Sequence, residues 1–286
     1  MKALAILGPG AHDRSVSALR AAGYDLEICR ESGAGLADLT VILGGDGTIH
    51  RFLPQIMRAK APVLVVPDGS GNDLARALNI GSVANSLELA KQFIHGQCTS
   101  KEIDIGVITD FAGRETPFCC VGGIGLDAIA AEFANRMPRW LRSHGGYLLS
   151  MAHALFAPPA LWVRISALRI EGGYATEIKQ DSCLFSFANT PTFGGGLRIA
   201  PQARVDDGQL DCVLVKAMST LRLIQCVPSL LIGKVLGLKE VSLMRAETLR
   251  IESDPPTWVY ADGEPVCQTP VDVRVRRRAL RVLSNL

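Results

Sequence analysis

The first hundred residues alternate short apolar runs with stretches of helical periodicity. Val63–Val66 is apolar without a break, which is typical of a strand buried on both faces. Repeated strand–helix alternation predicts a parallel sheet with right-handed crossovers. The predicted strands are Lys2–Leu7, Asp25–Cys29, Leu39–Leu43 and Val63–Val66, and the predicted helices are Ser15–Ala22, Gly47–Ala59, Asn72–Leu78 and Ser86–Ile94.

After Asp104 the pattern changes to strands in hairpin order, interrupted by two helices. We therefore predict an α/β domain over 1–107 and an antiparallel β-rich domain over 108–278, and the apolar Ala279–Leu283 suggests that 279–286 returns to the first domain. The predicted strands are Phe118–Val121, Leu161–Ile170, Ala175–Lys179, Ser182–Ala188, Gln209–Lys216, Thr248–Glu252, Trp258–Ala261 and Val271–Arg276, with a turn at Glu171–Gly173 and helices at Ser143–Ala157 and Thr220–Leu236.

Composition excludes several classes of protein. Apolar residues make up 48% and charged residues 20% of the 286-residue chain, so intrinsic disorder is excluded. A net charge of +2 argues against a protein that binds nucleic acid through bulk charge. The two longest apolar regions, Ser143–Val163 and Leu221–Leu238, are broken by proline and glycine, so neither is expected to span a membrane.

The cysteines and the N-terminal residues indicate the cellular compartment in which the protein is expected. The eight cysteines form no C-x-x-C pair and most lie inside apolar runs, so we predict reduced, structural thiols and a cytoplasmic protein. The apolar run at the N-terminus is too short for a signal peptide.

Two glycine-bearing loops carry the candidate chemistry. Gly44–Thr48 follows a predicted strand and precedes a helix, where backbone N–H groups can approach a phosphate and the helix N-terminus favours negative charge. Pro67–Asp73 repeats this arrangement after the next strand, so both loops are expected at the same edge of the sheet. A plain strand-to-helix turn explains the first loop equally well, and helix capping by Asn72 or Asp73 explains part of the second.

The two loops, together with later motifs in the same order, resemble the diacylglycerol kinase catalytic-domain family, which includes sphingosine and ceramide kinases. The resemblance rests on GGDGT at Gly44, on the P-x-G-S-x-N-D loop at Pro67, and on further motifs through Asp262-Gly263-Glu264. It implies an α/β nucleotide-binding domain, similar to that of NAD kinases, and a C-terminal antiparallel β-sandwich, with the active site between them.

The resemblance also implies transfer of the γ-phosphoryl group of ATP, with Mg²⁺, to a lipid hydroxyl such as that of diacylglycerol. Glu264 would be the general base, and Asp46 would be catalytic through a Mg²⁺ ion that it holds with Asp73 and Asp104, partly through water. The implied nucleotide-binding residues are Gly44, Gly45, Asp46, Gly47, Thr48, Gly69, Ser70 and Asn72. Without the family, Asp262-Gly263-Glu264 is equally well explained as an exposed hairpin turn.

A second, structural Mg²⁺ is implied at Asp207, with the carbonyl groups of Arg204 and Gln209; a surface Asp-Gly turn is the alternative. One departure stands out: His50-Arg51 occupies the place where many members carry Asn-Glu. This departure keeps open a catalytically silent nucleotide- or lipid-binding regulator.

A lipid substrate stays in the bilayer, so a kinase that acts on it is expected to contact the membrane surface. The apolar helix Ser143–Ala157, preceded by arginines, suits peripheral contact with a membrane surface, although packing on the β-rich domain is the alternative. NAD kinase and phosphofructokinase share the GGDGT loop, but the remaining motifs favour a lipid kinase. The sequence leaves open a sphingoid or other lipid alcohol as acceptor, and also a homodimer.

Overall fold

The computed structural model describes residues 1–9, 11, 13–29, 37–138, 147–156, 158–170, 176–231 and 237–285. The first unit is a parallel sheet in the order β4-β3-β1-β2 with helices packed on it. The elements of this unit are β1 (Lys2–Leu7), α1 (Asp13–Ala21), β2 (Asp25–Cys29), β3 (Leu39–Gly44), α2 (Asp46–Ala59), β4 (Val63–Pro67), α3 (Asp73–Ala77) and α4 (Val83–Ile94).

The second unit is a largely antiparallel β-structure with helices on one side. Its elements are β5 (Lys101–Thr109), β6 (Glu115–Phe118), β7 (Val121–Gly125), α5 (Leu126–Arg136), α6 (Tyr147–Phe156), β8 (Leu161–Ile170), β9 (Thr176–Ala188), β10 (Leu210–Lys216), α7 (Thr220–Leu231), β11 (Val241–Asp254), β12 (Trp258–Ala261), β13 (Glu264–Gln268) and β14 (Val271–Val282).

Strand β14 joins the two units into one continuous sheet. Its first half pairs antiparallel with β11, and at its end Val282 pairs with Val63 of β4 in parallel. Strand β5 runs beside β14 over nearly its whole length. The first unit and the helix-covered side of the second share one apolar core, while a separate core fills the β-sandwich around Phe118, Phe185 and Phe187.

Several predicted elements are corrected by the structure. The predicted strand Phe118–Val121 is a corner between β6 and β7, because the N–H groups of Cys119 and Cys120 donate to the Asp262 carboxylate and not to a neighbouring strand. The two strands predicted over 175–188 are one strand, β9, and α5, β5 and β13 were not predicted.

The two helices predicted in the second half are present over the part that the structure describes, as α6 and α7. The predicted turn at 171–173, and residues 143–146, 157 and 232–236 of those helices, lie outside the described residues. Within the described residues, no helix is both long and apolar enough to cross a bilayer.

Candidate active site

The two glycine-bearing loops lie side by side at the carboxyl ends of β3 and β4. Gly44 and Pro67 are partners in the parallel ladder, so each loop leaves the sheet at the same level. A Cβ atom on Gly69 would lie 2.3 Å from the Cα of Gly45 and 2.7 Å from its nitrogen. The two backbones are therefore in direct contact, and only glycine fits at this crossing.

The first loop ends in a helix N-terminus that is open to a ligand. Gly45 precedes α2 in an extended conformation, and no described side chain caps its N-terminus. The first backbone N–H groups of a 14-residue helix are thus available to an anion. Thr48 and the exposed Ser70 line the same cleft.

Asp46 lies where the loops meet. Its Oδ2 accepts a hydrogen bond from the backbone N–H of Asp73 (2.9 Å) and its Oδ1 accepts one from Leu74 (3.1 Å), so the first residue of α2 caps α3. Burial and the negative charge of Asp73 raise the pKa of Asp46 to about 7. Among the residues that the structure describes, no Lys, Arg or His pairs with Asp46, so a cation in the cleft would favour the charged form of this carboxyl group.

Asn72 shapes the second loop from within. Its side-chain amide donates to the carbonyl of Gly69 (2.7 Å) and its Oδ1 accepts from the Gly69 N–H (3.0 Å). Its backbone is left-handed, with φ of 55°. The capping role expected of this residue is taken by Asp46, and Asn72 holds the turn that presents Ser70.

Asp73 connects the loop to the second unit. The hydroxyl of Thr192 donates to its Oδ1 (2.7 Å) and the N–H of Gly195 donates to its Oδ2 (2.9 Å). Arg76 donates to the same carboxylate, which is 3% exposed. Both oxygens are thus committed to protein donors, although Asp73 lies at the wall of the cleft.

The structure does not bring Asp104 to this group. Its Oδ2 accepts from the N–H of Gly208 (2.6 Å) and its Oδ1 accepts from the N–H of Arg278 (2.8 Å). Asp104 is buried and lies outside the set of residues that line the cleft. The predicted metal set of Asp46, Asp73 and Asp104 is corrected accordingly, because Asp104 satisfies the backbone where β5, β14 and the 204–209 segment meet.

The Asp262–Glu264 turn lies across the cleft from α2. A Cβ atom on Gly47 would lie 3.6 Å from Oε1 of Glu264, so this carboxylate faces the N-terminus of α2. Asp262 is buried behind it and accepts from Cys119 N–H (2.9 Å) and Cys120 N–H (2.8 Å). The Asp262–Glu264 segment is therefore a hairpin turn between β12 and β13 that also lines the cleft, and not only the exposed turn of the alternative interpretation.

The cleft between the units encloses about 1000 Å³, which is enough for a nucleotide and a headgroup. Its far wall carries Asp127, Asn135 and Tyr260, none of which was predicted as a site residue. Asp127 belongs to the segment Val121–Ala128, one of the further motifs that carry the family resemblance, and Asn135 had no sequence signal. Asn135 donates to the carbonyl of Gly263 (2.7 Å) and thereby anchors the turn that carries Glu264.

The donor set of the cleft fits a Mg²⁺ ion that arrives with a nucleotide. No group of three or more described His, Cys, Asp or Glu residues could hold a metal ion. Mg²⁺ in kinases is commonly bound by one or two carboxylates together with substrate phosphates and water. Asp46 is the residue placed to supply such a carboxylate.

The donor set at Asp207 does not fit a structural Mg²⁺. The guanidinium of Arg245 forms an ion pair with Oδ2 of Asp207, and the N–H of Gln209 donates to Oδ1 (3.0 Å). Arg204 pairs with Asp206 beside it (3.1 Å). A side-chain cation thus already neutralises the carboxylate that was predicted to bind the metal.

Comparisons with known proteins agree with this geometry. The model of the diacylglycerol kinase catalytic domain matches residues 3–108, and that of the YegS C-terminal NAD kinase beta sandwich-like domain matches residues 121–284. A diacylglycerol kinase of Mycobacterium tuberculosis is 34% identical over 246 residues, which cover 86% of this chain and 76% of that protein.

Two solved structures share the fold. A diacylglycerol kinase from Bacillus anthracis str. Sterne superposes with a TM-score of 0.69 at 18% identity, covering 99% of this chain and 97% of the other. An NAD kinase from Archaeoglobus fulgidus in complex with ATP superposes with a TM-score of 0.57 at 15% identity, covering 100% and 94%. The α/β domain followed by a β-sandwich, as predicted, is confirmed.

Proposed function

We propose diacylglycerol as the acceptor of this chain, which belongs to the diacylglycerol kinase family and is an ATP-dependent lipid kinase. The observation that carries the assignment of phosphoryl transfer to this cleft is the position of Glu264, whose carboxylate faces Gly47 at the N-terminus of α2. A base at this place lies beside the groups that would hold the terminal phosphate. The name of the Mycobacterium tuberculosis relative supports diacylglycerol as the acceptor.

The two loops would hold the triphosphate. Backbone N–H groups at the start of α2 favour an anion, and Thr48 and Ser70 add hydroxyl groups on either side. Gly44, Gly45, Gly47 and Gly69 let the phosphates approach the backbone, and Asn72 keeps the second turn in shape. These contacts would fix the γ-phosphorus for in-line attack.

Mg²⁺, held by the phosphates and Asp46, would neutralise the charge on the equatorial oxygens of the transferred group. Asp73 contributes indirectly, because its backbone N–H fixes the Asp46 carboxylate while its own side chain holds the second unit in place. The proposal thus assigns one protein carboxylate to the catalytic metal.

Glu264 would accept the proton of the acceptor hydroxyl as the oxygen attacks the phosphorus. General base catalysis of this kind contributes roughly 10²- to 10⁴-fold. The carbonyl of Gly263 is held by Asn135 of α5, so the turn that carries the base is anchored to the wall where the acceptor would enter.

Helices α6 and α7 would contact the membrane that holds the acceptor. Among the described side chains of these two packed helices, Leu149, Phe156, Leu221 and Ile224 are exposed, and we call them the apolar helix surface. Met151 of α6 is buried and therefore lies outside this surface. Helix α6 packs on α5, which lines the cleft, so a bilayer at this surface would lie beside the acceptor end.

A kinase assay tests the function. The purified protein is incubated with labelled ATP, Mg²⁺ and vesicles that contain diacylglycerol, a sphingoid base or ceramide. We expect labelled phosphatidic acid, and a product formed from another lipid alone would replace diacylglycerol as the acceptor. ATP binding without transfer to any lipid would support the silent regulator.

Two variants test the roles of the site and of the surface. Glu264→Gln should lower kcat by about 10²- to 10⁴-fold and leave ATP affinity unchanged, while the exposed Glu88→Gln on α4 serves as the matched control. Phe156→Ser with Leu149→Ser should weaken vesicle flotation without changing ATP binding. Unchanged flotation would remove the apolar helix surface from the proposal.

A further inference from the structure

His50 occupies the place where the sequence departs from the family, and it makes a specific contact. The residue lies on the second turn of α2 and its side chain is 12% exposed. Its Nδ1 lies 3.1 Å from Oδ2 of Asp262, whose side chain is 1% exposed. The contact joins the first unit to the turn that carries Glu264.

Asp262 is a junction on which the geometry of this turn depends. Its carboxylate receives the two N–H groups of the β6–β7 corner in addition to His50, and its backbone is left-handed, with φ of 51°. Gly263 also has a positive φ, of 86°, and an Asp-Gly pair with positive φ at both residues is a favoured two-residue hairpin turn. His50 ties this turn to α2.

The charges around His50 favour its protonated form. Burial alone would lower the pKa of His50, but the hydrogen bond to Asp262 and the negative charges of Asp262 and Glu264 outweigh it and raise the pKa above its ordinary value.

The elements that pack on α2 bring other titratable groups near this helix. Burial raises the pKa of the thiols of Cys119 and Cys120 at the β6–β7 corner well above their ordinary range, so both stay neutral. On β6 and β14, Glu115 pairs with Arg274 and Arg276, while Asp46 lies one turn before His50. Arg51 lies over the ring of Phe52.

We propose that His50 is a positioning residue that holds the Asp262–Glu264 turn against α2, so that Glu264 stays over Gly47 during phosphoryl transfer. The inference rests on the proposed role of Glu264 as the base. His50, which stands where many family members carry Asn, would then position the Asp262–Glu264 turn, and the departure would not indicate an inactive site.

The pairing has a defined dependence on pH. Protonated His50 donates a charge-assisted hydrogen bond to Asp262, and this bond is stronger than a neutral one. Because the pKa of His50 is raised in the folded protein, the ion pair is fully present below the ordinary pKa and is lost as pH rises through the raised value.

Two variants separate the hydrogen bond from the charge. His50→Ala removes both, whereas His50→Asn keeps a donor that does not titrate. His95→Asn, at the exposed end of α4, is the matched control. The measurements are kcat and KM for ATP on diacylglycerol vesicles from about pH 6 to about pH 9, and circular dichroism confirms that each variant is folded.

We expect His50→Ala to lower kcat by about 10- to 100-fold while KM for ATP changes less than about twofold. The ratio of wild-type kcat to that of His50→Asn should fall toward one as pH rises through the pKa of His50. A ratio that stays constant with pH, or an Ala variant as active as the wild type, would overturn the inference. A wild-type protein inactive on every lipid would instead refute the proposed function, so the two failures are distinguishable.

Discussion

Replacing Asp127 by asparagine should change how the stability of the protein depends on pH. The carboxyl group lies in the first turn of α5 and is 7% exposed. Its Oδ2 accepts from the hydroxyl of Ser186 (2.7 Å) and its Oδ1 accepts from the N–H of Ala128 (2.9 Å). These bonds favour the charged form, but burial outweighs them and raises the pKa of Asp127 to about 7.

The sign follows from proton linkage. As pH rises through the ordinary value of 3.8, Asp127 loses its proton in the unfolded chain but keeps it in the folded protein until the pH reaches about 7. The folded state therefore binds more protons in this window, and the free energy of unfolding falls as pH rises. At about 1.4 kcal/mol for each pKa unit, the fall amounts to about 4 kcal/mol.

Urea unfolding followed by tryptophan fluorescence, at about pH 4 and about pH 8, measures this fall. The variant Asp127→Asn keeps both partners, because the amide side chain can donate to the hydroxyl of Ser186 and accept from the N–H of Ala128. The stability of the variant relative to the wild type should therefore rise by up to about 4 kcal/mol between the two pH values. The exposed Asp25→Asn is the control, and parallel pH profiles for wild type and Asp127→Asn would refute the reasoning.

Three further substitutions test other parts of the site. Gly69→Ala should destabilise the protein by about 1–3 kcal/mol and weaken ATP binding in calorimetry, because the new Cβ would meet backbone at 2.3 Å, whereas Gly237→Ala meets nothing within 4 Å. Asp104→Asn should lower the free energy of unfolding by about 2 kcal/mol without changing the Mg²⁺ dependence of kcat, and a changed dependence would return this residue to the metal site. Arg245→Met should leave Asp207 without its cation and lower Tm, and excess Mg²⁺ should then raise Tm in the variant but not in the wild type.

The first unit could be predicted closely from sequence because three of its strands, β1, β3 and β4, are buried over most of their length, whereas the edge strand β2 is mostly exposed. Strands buried in this way appear as continuous apolar runs, and glycine or proline marks their ends. The predictions for β1 and β2 match the structure, and those for β3 and β4 differ by one residue at the end. For the second unit, periodicity alone predicted only an antiparallel β-rich domain. The β-sandwich was predicted from the resemblance to the kinase family.

The elements of the second unit that were not predicted, or were predicted wrongly, have physical reasons for escaping the sequence analysis. Helix α5 begins directly after a series of glycines, which are typical of a loop, and β5 carries the buried charge of Asp104 in its middle. The corner at Cys119 and Cys120 depends on a carboxylate that lies more than a hundred residues further along the chain. A contact of that separation has no local signature.

Contacts between distant segments also explain why only one of the three predicted metal ligands, Asp46, keeps that role in the proposal. Motif position indicated several carboxylates near the cleft, but it could not show which of them line it and which are held by other segments of the fold. Asp46 itself accepts two backbone N–H groups, but it lines the cleft, whereas Asp104 does not and Asp73 pairs with Arg76. Asp73, Asp104 and Asp262 each connect separate segments of the fold, and their oxygens are occupied by donors from those segments. Asp46 and Glu264 are the predicted carboxylates that face the open space beside the N-terminus of α2. Chemistry at these two groups therefore depends on the other three, since any loosening of the connecting carboxylates would separate the phosphate-binding loops from the base.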